Sequence, residues 1–170
     1  MKTFRDFIIE CVDIEESSMT RLKSQSDKGG TAVMSASRGN LSSKENRARA
    51  RKLDRDIRGK FGKGATKVTG KYDEKDEKTG ETKRVKERSH IIQQGKMGKR
   101  KFKKAVKSLG KKYGQDSVIT QQKGDKGATL KRTRKGGLPK RNIRLGKMRP
   151  GRSGENETQK KGKTFTYDTK

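Results

Sequence analysis

The sequence predicts an α+β fold: a small mixed or antiparallel sheet with two main helices, a short N-terminal amphipathic helix, and long, basic, mobile loops. Three observations predict it. Apolar residues recur at helical spacing in two segments, 43–58 and 99–112. Short runs rich in β-branched and apolar residues lie around them, set off by glycines and polar turns. Only 25% of the chain is hydrophobic and there is no Trp, so the core such elements share is small.

Taken in order, Phe4, Phe7, Ile8 and Cys11 fall at i, i+3, i+4 and i+7, giving one apolar helix face. A helix this short is marginal alone in water and gains from docking that face on a partner. Residues 11–30 read as a polar linker, and Thr31–Ser35 as the first strand. Ser42-Ser-Lys-Glu45 spells a capping box for a helix over 43–58, with Asn46, Ala50, Leu53 and Ile57 on its inner face and Gly59 and Gly62 at its end. Residues 64–74 and 84–94 read as a hairpin with a charged tip at Lys78-Thr-Gly-Glu81. The helix over 99–112 sets Phe102, Ala105, Val106, Leu109 and Tyr113 on one stripe, with Lys on the other faces and Gly114 as its stop. Ser117–Gln121 and Ala128–Leu130 are strands. The Gly/Lys/Arg-rich stretch 136–163 reads as basic and flexible, and Thr164-Phe-Thr-Tyr167, within 164–170, as a terminal strand that could return to the sheet edge. The folded domain thus spans 31–135.

Charge sets the strongest bound on partners. Forty-eight Lys/Arg against twenty Asp/Glu give a net charge of +28, a field that points to a polyanion. The densest basic groups are Lys99, Arg100, Lys101, Lys103 and Lys104; Lys131, Arg132, Arg134 and Lys135; and Lys140, Arg141, Arg144, Lys147, Arg149 and Arg152. Such groups can each span several phosphates, with affinity that falls steeply with salt. Few aromatics are free to stack on bases, so the expected contact is with the backbone and is non-specific. The lone Cys11 excludes an internal disulfide, no His/Cys cluster or Asp-rich loop suggests a metal, and no cofactor motif is present. No segment approaches a membrane span or a secretory signal.

The first ten residues, Met1-Lys-Thr-Phe-Arg-Asp-Phe-Ile-Ile-Glu10, resemble the capsid-targeting peptide of internal head proteins of T-even-type tailed bacteriophages. The resemblance rests on Met1, Lys2, Thr3, Phe4, Asp6, Phe7, Ile8 and Glu10. It implies docking on the prohead scaffold through Phe4, Phe7 and Ile8. It also implies cleavage by a prohead protease after Glu10 of the Ile8-x-Glu10 site, leaving Cys11 as the new N-terminus. Ile14-Glu15-Glu16 offers a second such triplet.

A second resemblance covers roughly residues 35–130. Ser35-Ala-Ser-Arg38, Leu41-Ser-x-x-Glu45-Asn46-x-x-Arg49, Gly70-x-Tyr72, Glu87-x-Ser89, Phe102 and Tyr113-Gly-Gln-Asp-Ser-Val-Ile119 are similar to a small uncharacterised domain of bacteria and tailed phages. It implies a folded α+β domain and carries no activity with it.

No constellation announces catalysis. His90, the only histidine, sits beside Ser89, but neighbours on a strand face opposite ways and do not make a nucleophile–base pair. Ser37, Arg38, Asn40, Glu45, Asn46, Glu87, Gln115 and Asp116 form a polar set at element ends, where caps and turns are the commoner use and a cleft is the alternative. The sequence therefore reads as a non-enzymatic internal head protein, located in the virion and then in the host cytoplasm. Its expected partners are phage genomic DNA, the prohead core and protease, and a host defence protein or nuclease. A ribosome- or RNA-associated protein and a nucleic-acid-directed enzyme or toxin remain the alternatives.

Overall fold

Side-chain alternation in one buried strand sorts this chain into two cores. In the computed structural model, which describes residues 20–75, 80–136, 139–152, 156–160 and 162–167, β1 (Thr31–Ser35) is buried along its whole length. Successive strand residues point to opposite faces. Ala32 and Met34 therefore join Leu53, Ile57, Ile92, Phe102, Val106, Leu109, Tyr113 and Val118 beneath the helices. Val33 turns the other way, to Leu22, Val68, Ile91, Met148 and Phe165.

The helix-side core is the one the sequence anticipates. Helix α1 (Ser43–Phe61) opens with the expected capping box: the Glu45 amide donates to Ser42 Oγ at 3.3 Å, and the Ser42 amide donates to Glu45 Oε2 at 2.8 Å. It ends on Gly62, whose φ of 70° suits a residue without Cβ. Ala50, Leu53 and Ile57 are buried as the periodicity requires. Helix α2 (Lys99–Lys112) buries Phe102, Ala105, Val106 and Leu109. Phe61 meets Phe102 edge-on, with centroids 5.7 Å apart, and joins the two helices.

The sheet is larger than the sequence suggests. Strands β2 (Thr66–Lys75), β3 (Thr82–Gln93), β4 (Ser117–Gln121) and β5 (Ala128–Arg132) fall near their expected places. Three more follow, β6 (Ile143–Gly146), β7 (Met148–Pro150) and β8 (Asn156–Lys160), before the expected terminal strand, β9 (Lys163–Tyr167). Their order across the sheet is β6-β5-β4-β1-β3-β2-β8-β9-β7, and every pairing is antiparallel. The two edge strands, β6 and β7, are separated in the chain only by Lys147. One residue can join them only if the sheet curls until its edges nearly meet. The result is a nearly closed barrel, with both helices outside and the second core within.

Two expectations change here. The stretch 136–163, read as flexible, supplies β6, β7 and β8, whose order comes from backbone pairing with β5, β9 and β2 and not from their own apolar content. Residues 20–24 of the expected linker are helical and continue into a π-helical turn at Gln25–Gly29. Leu22 is buried in the barrel core, and Ser26 Oγ donates to Gln121 Oε1 at 3.0 Å. This segment plugs the barrel end where β1 begins and β4 finishes. The expected targeting peptide, its docking face Phe4, Phe7 and Ile8, the cleavage site Ile8, Glu10 and Cys11, and the first half of the hairpin tip, Lys78 and Thr79, lie outside the described residues. Among the described residues no helix is long and apolar enough to cross a membrane.

Candidate active site

The barrel end opposite the plug is open, and strand registers determine what faces it. Ser35 pairs with Ser89, and Val33 with both Ile91 and Ile119. Gly70 lies across from Glu87 on one side and from Thr158 on the other. Leu130 pairs with Ile119. These residues share the inner face and, except for Ile91, line a cleft of about 400 Å³ together with Lys71, Ser117, Leu145, Thr166 and Tyr167. That size suits a ligand of drug or nucleoside dimensions.

The cleft is apolar on the β4–β6 side, through Ile119, Leu130 and Leu145, and polar on the β1–β3 side. Glu87 is the one carboxylate in its lining among the described residues, in a chain of net charge +28. Gly70 leaves the space beside Ser89 open. A Cβ there would stand 3.2 Å from Ser89 Oγ, and a strand glycine of this kind marks a close approach by a ligand or another chain segment. Gly70→Val should therefore raise KM for the bound substrate about tenfold while leaving the melting temperature within a few degrees. Steady-state kinetics with a thermal scan checks both halves of that expectation.

Tyr167 packs edge-on against Phe165, with centroids 6.1 Å apart. Burial first, and then the charge of Asp27, push its phenol well above the usual range. The hydroxyl thus stays protonated at any working pH and can donate a hydrogen bond but cannot act as a phenolate base.

Several polar residues singled out from the sequence hold the loops beside this mouth. The Arg38 amide donates to Asn46 Oδ1 at 2.9 Å, and Asn46 Nδ2 donates to the carbonyls of Arg38 and Leu41 at 3.0 and 3.1 Å. Arg49 donates to the carbonyls of Ala36 and Tyr113, both at 2.7 Å. Gln115 Nε2 reaches the Ser37 carbonyl at 3.1 Å. Arg134 pairs with Asp116, and Thr133 Oγ1 donates to the Gln115 carbonyl. These bonds tie the loop after β1 to the loop after α2. Of the polar set, Glu87 and Gln115 line the cleft, while Glu45 is the cap of α1 and Asn40 lies on the exposed loop before it.

Ser89 and His90 do face opposite ways: Ser89 pairs across to the cleft-lining Ser35, while His90 pairs with Met34 of the helix-side core. His90 therefore contributes nothing to the cleft lining. Among the described residues no group of three His, Cys, Asp or Glu side chains is placed to hold a metal.

None of the residues assigned to nucleic-acid contact lines the cleft. Lys99, Arg100, Lys101, Lys103 and Lys104 are exposed on the first turns of α2. Lys131, Arg132, Arg134, Lys135, Lys140, Arg141 and Arg144 surround the β5–β6 connection, where Arg132 donates to the Lys140 carbonyl at 2.7 Å. Lys147, Arg149 and Arg152 lie on and beside β7. The sequence missed the cleft as a unit, although the residues of the second resemblance contain much of it: Ser35, Gly70, Glu87, Ser89, Gln115, Ser117, Val118 and Ile119 all reappear in the lining.

Comparison with known proteins gives this geometry a family. A search of curated proteins returns no match. A solved phage SAM lyase in complex with S-methyl-5'-thioadenosine is 16% identical to this chain, with 85% of this chain and 92% of that chain covered and a TM-score of 0.35. The model of the S-adenosylmethionine lyase family matches residues 32–170, which takes in every strand of the barrel and both outer helices. This match overturns the expectation of a non-enzymatic internal head protein, and with it phage DNA and the prohead components as the chain's partners. The error has a physical source: that expectation rested on a ten-residue N-terminal resemblance and on net charge, neither of which describes a site, and function resides in a site. The chain belongs to the S-adenosylmethionine lyase family.

Proposed function

We propose that this protein cleaves S-adenosylmethionine in the open mouth of the barrel, without water as a reactant. The family match over residues 32–170 carries the reading, and the cleft's size and single carboxylate support it. The chemistry follows from the substrate. Its sulfonium bears three carbons: the methyl, the ribose methylene and Cγ of the methionine chain. A lyase uses no second substrate, so the nucleophile comes from the substrate itself. The methionine carboxylate reaches Cγ through a five-membered ring, while the other two carbons are poorly placed for it. A carboxylate oxygen–Cγ bond forms as the sulfur–Cγ bond breaks, and the electron pair stays on sulfur. The products are S-methyl-5'-thioadenosine and a lactone, with no proton transfer needed.

That balance fixes what the protein must do. Positive sulfonium and negative carboxylate neutralise each other in the transition state, so an apolar surround favours the step. Ile119, Leu130 and Leu145 provide it. A protein carboxylate held against the sulfonium would stabilise the ground state more than the transition state. Glu87 serves better as the partner of the α-ammonium, whose charge persists throughout, and so turns the substrate carboxylate towards Cγ. Tyr167, always protonated, donates to polar groups of the bound molecule.

The reading is tested by incubating the full chain with S-adenosylmethionine and following products by mass spectrometry. S-methyl-5'-thioadenosine should accumulate in proportion to enzyme and time; its absence would refute the proposal. Ionic strength supplies a second check. The substrate carries a net single positive charge and meets a protein of +28, so the field opposes encounter. Salt should raise kcat/KM, by about two- to fivefold between ~10 and ~150 mM. A polyanion ligand would show the reverse.

A further inference from the structure

A second cleft lies on the outer face of the sheet, against α1, and the mechanism above leaves it unused. It has a volume of about 420 Å³ and is walled by Arg51 of α1, Lys67 of β2, Arg88 of β3 and Lys160 of β8, with no carboxylate in its lining among the described residues. His90 is part of the same wall. It is 2% exposed, and its Nδ1 has no hydrogen-bond partner among the described residues. A buried polar atom left unpaired is costly, and native structures usually account for it. Cations from four separate elements converging on a concave surface carry a cost of their own, since each repels the others.

One ligand chemistry answers both observations. We propose that this outer cleft binds a small phosphoryl anion of the pyrophosphate class, free or as part of a nucleotide, with Arg51, Lys67, Arg88 and Lys160 as its charge partners and His90 as a buried donor. Concavity limits the ligand to a compact group. Four cations on different sides match the several oxygens of a diphosphate better than a single carboxylate.

His90 gives the site a titratable reporter. Burial holds its imidazole below the ordinary range, opposed by the negative charge of Asp54 and reinforced by Lys67. The charged groups facing it are Asp54 and Arg51 from α1, Lys67 from β2 and Lys160 from β8, with Arg88 on its own strand. Asp54 is paired through Oδ2 with Arg58 at 3.4 Å and Lys67 at 3.5 Å, while its buried Oδ1, like His90 Nδ1, has no hydrogen-bond partner among the described residues. An anion in the cleft adds negative charge beside the imidazole, so binding should raise its pKa and take up a proton below neutrality.

The test is calorimetric titration of the full chain with pyrophosphate and with ATP, alongside NMR titration of the imidazole, which is unambiguous because the chain has one histidine. R51Q with K160Q should weaken pyrophosphate about tenfold or more, whereas K103Q with K107Q, the same charge change on the exposed face of α2, should leave it nearly unaltered. Saturating pyrophosphate should move the His90 titration upward in pH. Tighter binding of ATP would assign the site to nucleotides, and equal binding to the diphosphate alone. Equal weakening by both pairs of substitutions, no binding at millimolar pyrophosphate, or an unmoved imidazole titration would each overturn the proposal. Because the readouts are binding and titration, they stand whether or not the barrel mouth cleaves S-adenosylmethionine.

Discussion

Glu87→Gln should lower kcat/KM for S-adenosylmethionine by about 100- to 1,000-fold, the range seen when one preorganised electrostatic contact is removed from an active site. The substitution keeps shape and hydrogen-bonding capacity and deletes only charge. Gly70 stands opposite on β2, so the amide meets no new steric demand. The loss should divide between KM and kcat. An ion pair to the α-ammonium binds substrate, and it also fixes the rotation that brings the substrate carboxylate to Cγ. A substrate analogue lacking the amino group separates these effects: it should react slowly with the parent enzyme and lose little more with Glu87→Gln. A further full loss on that analogue would place Glu87 against a different group.

Phe102→Ala should cost about 3–5 kcal/mol of folding stability, read as a lower urea midpoint with an unchanged slope. Phe102 has no solvent exposure, lies at the centre of the stripe of α2, and contacts Phe61 of α1 across the helix pair. The chain is only 25% hydrophobic, so there are few side chains to collapse into the space left. Domains of this size have roughly 5–15 kcal/mol in total, and this one substitution would remove a large share. Phe102→Leu, which keeps most of the volume, should cost roughly 1–1.5 kcal/mol.

What the sequence made legible is what local physics determines. The capping box at Ser42 and Glu45, the stripe from Phe102 to Tyr113, and the apolar run Thr31–Ser35 each carry their own signal within a few residues. The barrel does not. Its closure depends on β9, whose Thr164-Phe-Thr-Tyr167 alternation the sequence does show, and on β6, β7 and β8, short segments within the Gly/Lys/Arg-rich stretch. Leu145, Met148 and Phe165 are the apolar residues that turn inward there, together with Tyr167. β6, β7 and β8 become strands because β5, β9 and β2 offer them unpaired backbone, which no window along the chain can reveal. Leu22 reads as part of a linker for the same reason, since the core it enters forms only when distant strands meet.

The site was visible in pieces. Glu87 and Gln115 belong to the polar set, and Gly70, Ser89 and Ser117 are present as motif residues. Deciding between caps and cleft requires the registers Gly70↔Glu87 and Ser35↔Ser89, which put separated positions on one inner face. The functional reading was misdirected by the ten-residue N-terminal resemblance, with charge in support. An excess of +28 draws attention to polyanions, whereas the cleft, among the described residues, is lined by one carboxylate, one lysine and an apolar wall.

The most direct test of the account is to run the reaction in water enriched in heavy oxygen, quench it early, and weigh the four-carbon fragment. Closure by the substrate's own carboxylate predicts an unlabelled lactone. Any homoserine formed from it later should carry the label only in its carboxyl group, because ring opening occurs at the acyl carbon. Label on the γ-hydroxyl would mean that water attacked Cγ, and an unsaturated amino acid would mean loss of a Cβ proton. Either would contradict a barrel mouth that works by orienting the substrate against itself.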